Sequence, residues 1–197
     1  MAQHDFVIEQ GATFNPTLKY SQPHLIVKAI TGITKSAQAV VTCAHNLSVD
    51  WPVYVSGVVG MTQINSSAED LKRPSQAYQG YYVGASTMRL DVDSSAFRTY
   101  VSGGELVYHP PVDLTGYTAR MHIRATLEST TALVTLTTEN AGITLGGAAG
   151  TIIPLILATA TDDLTFDTAV YDLELISGTT VTRLLSGNVT LSKEVTR

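Results

Sequence analysis

Cys43 and His45 form the first pair in this sequence able to do chemistry, a thiol and an imidazole two residues apart in AVVTCAHN. A nucleophile and its base also need an orienting third group and a site for the developing negative charge. Neither is evident nearby, so the expectation is a core thiol beside a surface or turn histidine. As the single cysteine, Cys43 forms no internal disulfide, and a free cysteine in a strand-like apolar stretch is usually packed and inert. The histidines, His4, His24, His45, His109 and His122, are scattered, and only His45 lies near Cys43. Zinc requires closely spaced ligands, so neither a metal nor a cofactor is expected.

Other suggestive stretches lack part of what their chemistry requires. GGAAG at 146–150 is glycine-rich, but a phosphate cradle ends in Lys-Ser/Thr and opens a helix; GITL and TIIPLIL flank it instead, which predicts a flexible hairpin turn. DVDSSAF at 91–97 places Asp91 and Asp93 as a calcium loop does, without the glycine and glutamate that complete one. The carboxylate pairs Asp162-Asp163 and Glu69-Asp70 are adjacent in sequence, which does not place two groups across a sugar ring. Solvated or capping roles suit them better. Asn46, Asn65 and Asn188 open glycosylation triplets, but no secretory leader is apparent, so they are read as turn and strand residues. The remaining cluster is aromatic. Tyr78, Tyr81 and Tyr82, close to Lys72 and Arg73, are candidates for a protein- or glycan-contact loop. The alternative is that one or two of them pack beneath their own loop.

Composition narrows the partners. The chain has 197 residues, 44% hydrophobic and only 15% charged, against roughly 25% charged in an average globular domain. A net charge of −5 disfavours a phosphate-binding footprint, so no nucleic acid is expected. No stretch reaches the roughly 18 apolar residues of a membrane helix, and no membrane partner is expected. β-branched residues and glycine fill the composition, which suits strands and turns.

Periodicity supplies the elements meant to carry these residues. DFVIEQGATFNPTLKY reads as two strand segments bent around Gly11 and Pro16. Residues 24–109 have short apolar runs broken by Gly, Asn and Asp-Trp-Pro, the texture of a small β-rich unit. In its later half a long loop, AEDLKRPSQAYQGYYVG, feeds a strand in which Met88, Leu90 and Val92 alternate with polar residues. After Pro110-Pro111, Tyr117, Ala119, Met121 and Ile123 share one face, and Thr118, Arg120, His122 and Arg124 the other. TALVTLTT, GTIIPLILAT with Ile153, Leu155 and Leu157 aligned, VYDLELIS with Tyr171, Leu173 and Leu175 aligned, and GNVTLSKEV complete five strands of a sandwich. Pro154 predicts an edge strand or a bulge. ATATDDLTF predicts one helical turn capped by Thr161, with acidic residues in its first turn.

DFVIEQGATFNPTLKY, PVDLTGYTARMHIR, GITLGGAAGTI and VYDLELISGTTVTRLLSGNVTLSKEVT together resemble a family of small phage proteins akin to the N-terminal domain of baseplate upper proteins. The resemblance implies an immunoglobulin-like β-sandwich in which the first strand pair runs almost directly into PVDLTGY. Here roughly ninety residues intervene. That intervening segment, through Gly57, Gly60, Met61 and Asn65, resembles the small β-domain called FCCH, first named in ubiquitin-activating enzymes and also found in phage tail proteins. It departs from that pattern at SSAEDLKRPSQAYQGYY, where a shorter turn and strand would stand, and it implies no ubiquitin chemistry.

The expectation is therefore an all-β, discontinuous chain: a sandwich from residues 1–22 plus 111–197, with an inserted β-domain at 23–110. Insertions of this kind are tolerated at exposed hairpin tips. Functionally it reads as a non-enzymatic virion structural protein of the tail, neck or baseplate, made in a host cytoplasm. Its partners would be other phage virion proteins and copies of itself, in a symmetric homo-oligomeric assembly. The alternatives are a capsid decoration protein and a carbohydrate- or receptor-binding module.

Overall fold

A computed structural model describes residues 2–67, 69 and 73–195. In chain order the strands are β1 (Ala2–Gln3), β2 (Phe6–Glu9), β3 (Leu18–Lys19), β4 (Ile26–Ala29), β5 (Gly32–Ile33), β6 (Val40–Thr42), β7 (Trp51–Val59) and β8 (Tyr78–Gly84). There follow β9 (Thr87–Leu90), β10 (Ser102–Tyr108), β11 (Thr118–Arg124), β12 (Val134–Thr137), β13 (Ile143–Leu145) and β14 (Thr151–Pro154). A short helix, α1 (Ala158–Asp162), precedes β15 (Thr168–Ser177) and β16 (Thr180–Ser192). The protein is all-β, with several sheets. It divides into two compact units, one within residues 1–20 and 111–197 and the other within 21–110. Ser21 and Gln22, assigned from sequence to the first unit, belong to the second. The Gln22 N–H donates to the Pro110 carbonyl at 2.8 Å, which ties the start of that unit to its end.

The first unit has a six-stranded sheet in the order β1-β16-β15-β11-β12, with β2 also on β16, and a three-stranded sheet β13-β14-β3. β1 and β2 run parallel to β16, while the other pairs are antiparallel. Period-two alternation decides the faces of the central strands. Ala119, Met121 and Ile123 on β11, and Tyr171, Leu173 and Leu175 on β15, are buried in one core with Ile8, Ile152 and Val189. GTIIPLILAT behaves differently: Ile152, Pro154 and Ile156 face inward, and Leu157 is 58% exposed. In that run both parities are apolar, so alternation carries no information, and register with β13 (Ile143↔Pro154) makes the choice.

Two further expectations need correction. β14 is the middle strand of its sheet, not an edge; Pro154 is tolerated because pairing with β3 covers only Thr151 and Ile152, leaving the strand end unpaired on that side. In α1 the N-cap is Leu157, and Thr161 lies inside the helix, fully buried. Its hydroxyl donates to the Ala158 carbonyl (2.9 Å) and to the Ala12 carbonyl (2.8 Å), so it fastens the helix to the N-terminal segment. Asp162 falls in the last turn, not the first. GNVTLSKEV is no separate strand: β16 runs through Gly187, and β13 brings the strands after residue 111 to six among the described residues.

The second unit is a seven-stranded sheet in the order β4-β10-β7-β8-β9-β6-β5. Its core holds Trp51, Val53, Val55, Met61, Ile64, Met88, Leu90 and Leu106. β7 pairs β10 along most of its length and β8 at its start. The turn after β7 explains the motif residues. Gly60 has φ +90°, and a Cβ there would strike the Thr99 carbonyl and Val101. Met61 is fully buried, and Asn65 clamps Val58, accepting its N–H at 2.9 Å and donating to its carbonyl at 3.1 Å. The part of AEDLKRPSQAYQGYYVG expected to be loop is, from Tyr78 onward, a strand paired on both sides. Ala68, Asp70, Leu71 and Lys72 lie outside the described residues.

Candidate functional site

The three tyrosines lie on β8 rather than on an irregular loop, because Trp51–Val53 on one side and Thr87–Leu90 on the other supply backbone partners. A strand sends successive side chains to opposite faces, so the three do not form one surface. Tyr78 is half-buried against the core of its unit, its hydroxyl donating to the Ile64 carbonyl at 3.0 Å. Tyr82 is paired with the buried Met88 and shares that face, 42% exposed, its ring edge-on to His45 at 6.2 Å; its N–H donates to Asp50 Oδ1 at 2.8 Å. Tyr81 turns to the other face, where the Arg89 guanidinium stacks on its ring at 4.8 Å.

Arg89 was not legible as a partner, since only the β8–β9 register brings it opposite Tyr81. The cations singled out from sequence contribute differently. Arg73 offers its carbonyl to the Tyr54 hydroxyl (3.1 Å), and Lys72 lies outside the described residues. Stacking of an arginine on a tyrosine contributes about 0.5–1 kcal/mol at a partly exposed site. It also orients a guanidinium whose buried Nε has no hydrogen-bond partner among the described residues.

Cys43 is 2% exposed, and burial pushes its thiol up to about 11, against a weaker opposing pull from Lys28. At neutral pH it is protonated, which removes the thiolate a nucleophile needs. His45 corrects the expectation of a surface or turn residue, for it is fully buried. The Leu47 N–H donates to its Nδ1 (3.0 Å), which requires the neutral Nε2–H tautomer, and Nε2 faces the Thr87 carbonyl at 3.2 Å. The Tyr108 hydroxyl donates to the His45 carbonyl. Every polar atom of the imidazole is thus engaged in holding the loop between β6 and β7.

The remaining stretches are also occupied structurally. GGAAG closes the β13–β14 hairpin through a 3-10 turn at Gly147–Ala149, with Gly150 at φ +63°. Asp91 Oδ1 accepts the Gln79 N–H and Asp93 Oδ1 the Ser95 N–H, both at 2.9 Å; hydrogen bonding to Ser95 holds the Asp93 carboxyl below its ordinary range. Among the described residues no group of three or more His, Cys, Asp or Glu is placed to hold a metal ion, and no helix is long and apolar enough to cross a membrane. Asp70 of the Glu69-Asp70 pair lies outside the described residues.

The outer face of the six-stranded sheet carries features the sequence reading did not single out. Arg120 pairs with Glu174 (2.6 Å), and Arg183 with Asp172 (3.2 Å) and Glu174 (3.8 Å). His122, Asp172 and Ser186 form one row across β11, β15 and β16. The carboxylate stands between the other two in that row, whereas hydrolytic triads place the imidazole between hydroxyl and carboxylate. Beside the row lies a concavity of about 400 Å³. Scanned against protein-family models the chain matches none, and no curated protein matches it.

Proposed function

We propose that this chain is a non-enzymatic structural component of a bacteriophage virion, a tail, neck or baseplate part that docks other virion proteins and copies of itself. In this reading the unit of residues 1–20 and 111–197 is the immunoglobulin-like docking sandwich, and residues 21–110 are the FCCH-like insert acting as a spacer or second contact. The resemblance of the quoted segments to such phage proteins is one support. The observation that carries the reading is the state of the strand edges. β2, β4 and residues 180–184 of β16 each lack a hydrogen-bonded neighbour on one side among the described residues. On them Val7, Val27 and Val181 are 62%, 51% and 49% exposed. Free edges are places where another chain adds a strand, and proteins that remain single usually blunt them. Cys43, His45, Asp91 and Asp93, by contrast, are engaged in packing or in holding their own loops.

The test is a reconstruction of intact phage particles together with mass spectrometry of their proteins. Density for both units at a repeated position in a tail, neck or baseplate ring supports the proposal. Density on the capsid lattice would make the chain a decoration protein instead. Absence of the chain from mature particles would refute both.

A further inference from the structure

The concavity on the outer face of the six-stranded sheet is built from three neighbouring strands and one turn. His122 and Arg124 come from β11, Val170 and Asp172 from β15, and Arg183 and Ser186 from β16. Leu127 closes one side, at the tip of a turn that Arg124 holds by donating from Nη1 to the Ser129 carbonyl at 2.6 Å. Within that turn the Thr126 N–H donates to Ser129 Oγ (3.1 Å) and the Ser129 N–H to the Thr126 carbonyl (3.3 Å), so the wall has a defined geometry. At about 400 Å³ the space lies within the range of small-molecule sites, roughly 300–1,000 Å³.

Its lining is amphipathic and, for an acidic protein, unusually cationic. The chain carries a net −5, yet the polar wall holds two guanidinium groups against the one carboxylate of Asp172; Arg183 is paired with Asp172 and, beyond the lining, with Glu174, while Arg124 pairs with no carboxylate among the described residues. Arg183 turns its Nε to both carboxylates, at 3.2 and 3.8 Å, and its Nη groups make no hydrogen bond among the described residues; Arg124 donates from Nη1. The His122 ring has no hydrogen-bond partner among the described residues. Opposite these donors stand apolar side chains, Val170 and the 84% exposed Leu127.

We propose that this concavity binds the carboxylate of an acidic sugar, a uronic or sialic acid residue. The planar carboxylate meets the guanidinium forks, which match it two bonds at a time. The C–H face of the sugar ring rests on Leu127 and Val170, and a ring hydroxyl meets the second carboxylate oxygen of Asp172. The site does not depend on the virion reading: an acidic-sugar pocket can serve host-surface recognition by a phage particle or any other acidic-glycan binder.

The experiment is NMR titration of the full chain, with methyl labels on Leu and Val, using D-glucuronate, N-acetylneuraminate, neutral D-glucose and inorganic phosphate as separate probes. The expected result is saturable shifts of the Leu127 and Val170 methyls with both acidic sugars, and none with glucose. Arg183→Gln and Arg124→Gln should each weaken binding about tenfold or more. Because Arg124 also holds the turn, Leu127→Asp provides a second variant; its exposed position leaves the fold intact, and its carboxylate should abolish binding. Phosphate binding as tightly as the acidic sugars would reassign the site to a simple oxyanion and overturn the proposal. So would the absence of methyl shifts with either acidic sugar, or undiminished binding by Leu127→Asp.

Discussion

Replacing Asn65 with Ala removes two hydrogen bonds at once from one residue of the second unit's core. Asn65 accepts the Val58 N–H at 2.9 Å and returns a bond to the Val58 carbonyl at 3.1 Å, while Val58 itself is 2% exposed. Leaving a buried backbone group unpaired costs about 1–3 kcal/mol. Partial access of water to the half-buried Asn65 position offsets some of that, so Asn65→Ala should cost about 2–4 kcal/mol. For a unit of this size each kcal/mol lowers the midpoint by roughly 4–8 °C. Asn65→Asp keeps an acceptor for the N–H but turns a second carboxylate oxygen toward the Val58 carbonyl. It should therefore be no better than alanine at neutral pH, and should recover only when acid protonates the carboxyl and restores a donor. The probe is built in: Trp51 is the single tryptophan, 1% exposed and in the same core, so urea unfolding followed by its fluorescence reports this unit. An Asn65→Ala loss under about 0.5 kcal/mol, the size of an ordinary surface change, would refute the assigned clamp.

Three other outcomes are expected. Cys43, its thiol raised to about 11 chiefly by burial, should resist a thiol reagent such as DTNB at pH 8 in the native protein and react within the mixing time in urea; rapid native labelling would contradict the packing of β6. Tyr171, pushed up to about 12 by burial and by nearby Asp5, favours the folded state fully below its unfolded value near 10. That contribution declines as pH rises from there through about 12, because the unfolded chain ionises first. Tyr171→Phe loses the hydroxyl's bond to the His4 carbonyl (2.7 Å) but should flatten this alkaline decline in circular-dichroism melts; an unchanged slope would assign the decline to other groups. Thr161→Val keeps the shape but strips the bonds to Ala12 and Ala158, and should destabilise the first unit by about 1–3 kcal/mol; Thr161→Ser should recover most of that in calorimetry, and failure to do so would point to methyl packing instead.

Alternation alone determined the inward faces of β11 and β15, because polar and apolar residues differ at every step from Thr118 to Arg124 and from Tyr171 to Leu175, and only one face tolerates burial. Composition determined the all-β character for a related reason: β-branched residues and glycine suit pleats and turns better than helices. Where the local pattern was ambiguous, tertiary pairing decided. Ile152 and Ile156 turn inward rather than Ile153 and Leu157 because β13 fixes the register of an evenly apolar run. His45 is buried because a neighbouring N–H, a carbonyl and Tyr108 satisfy it, partners invisible at a spacing of two residues from Cys43. Tyr81 parts from Tyr82 and gains Arg89, and His122, Arg124, Asp172 and Arg183 meet around one concavity, through hydrogen-bonded pairings between β8 and β9 and among β11, β15 and β16. Sequence spacing records which side of its own strand a residue takes; which strand lies beside it is settled only when the sheets close over their cores.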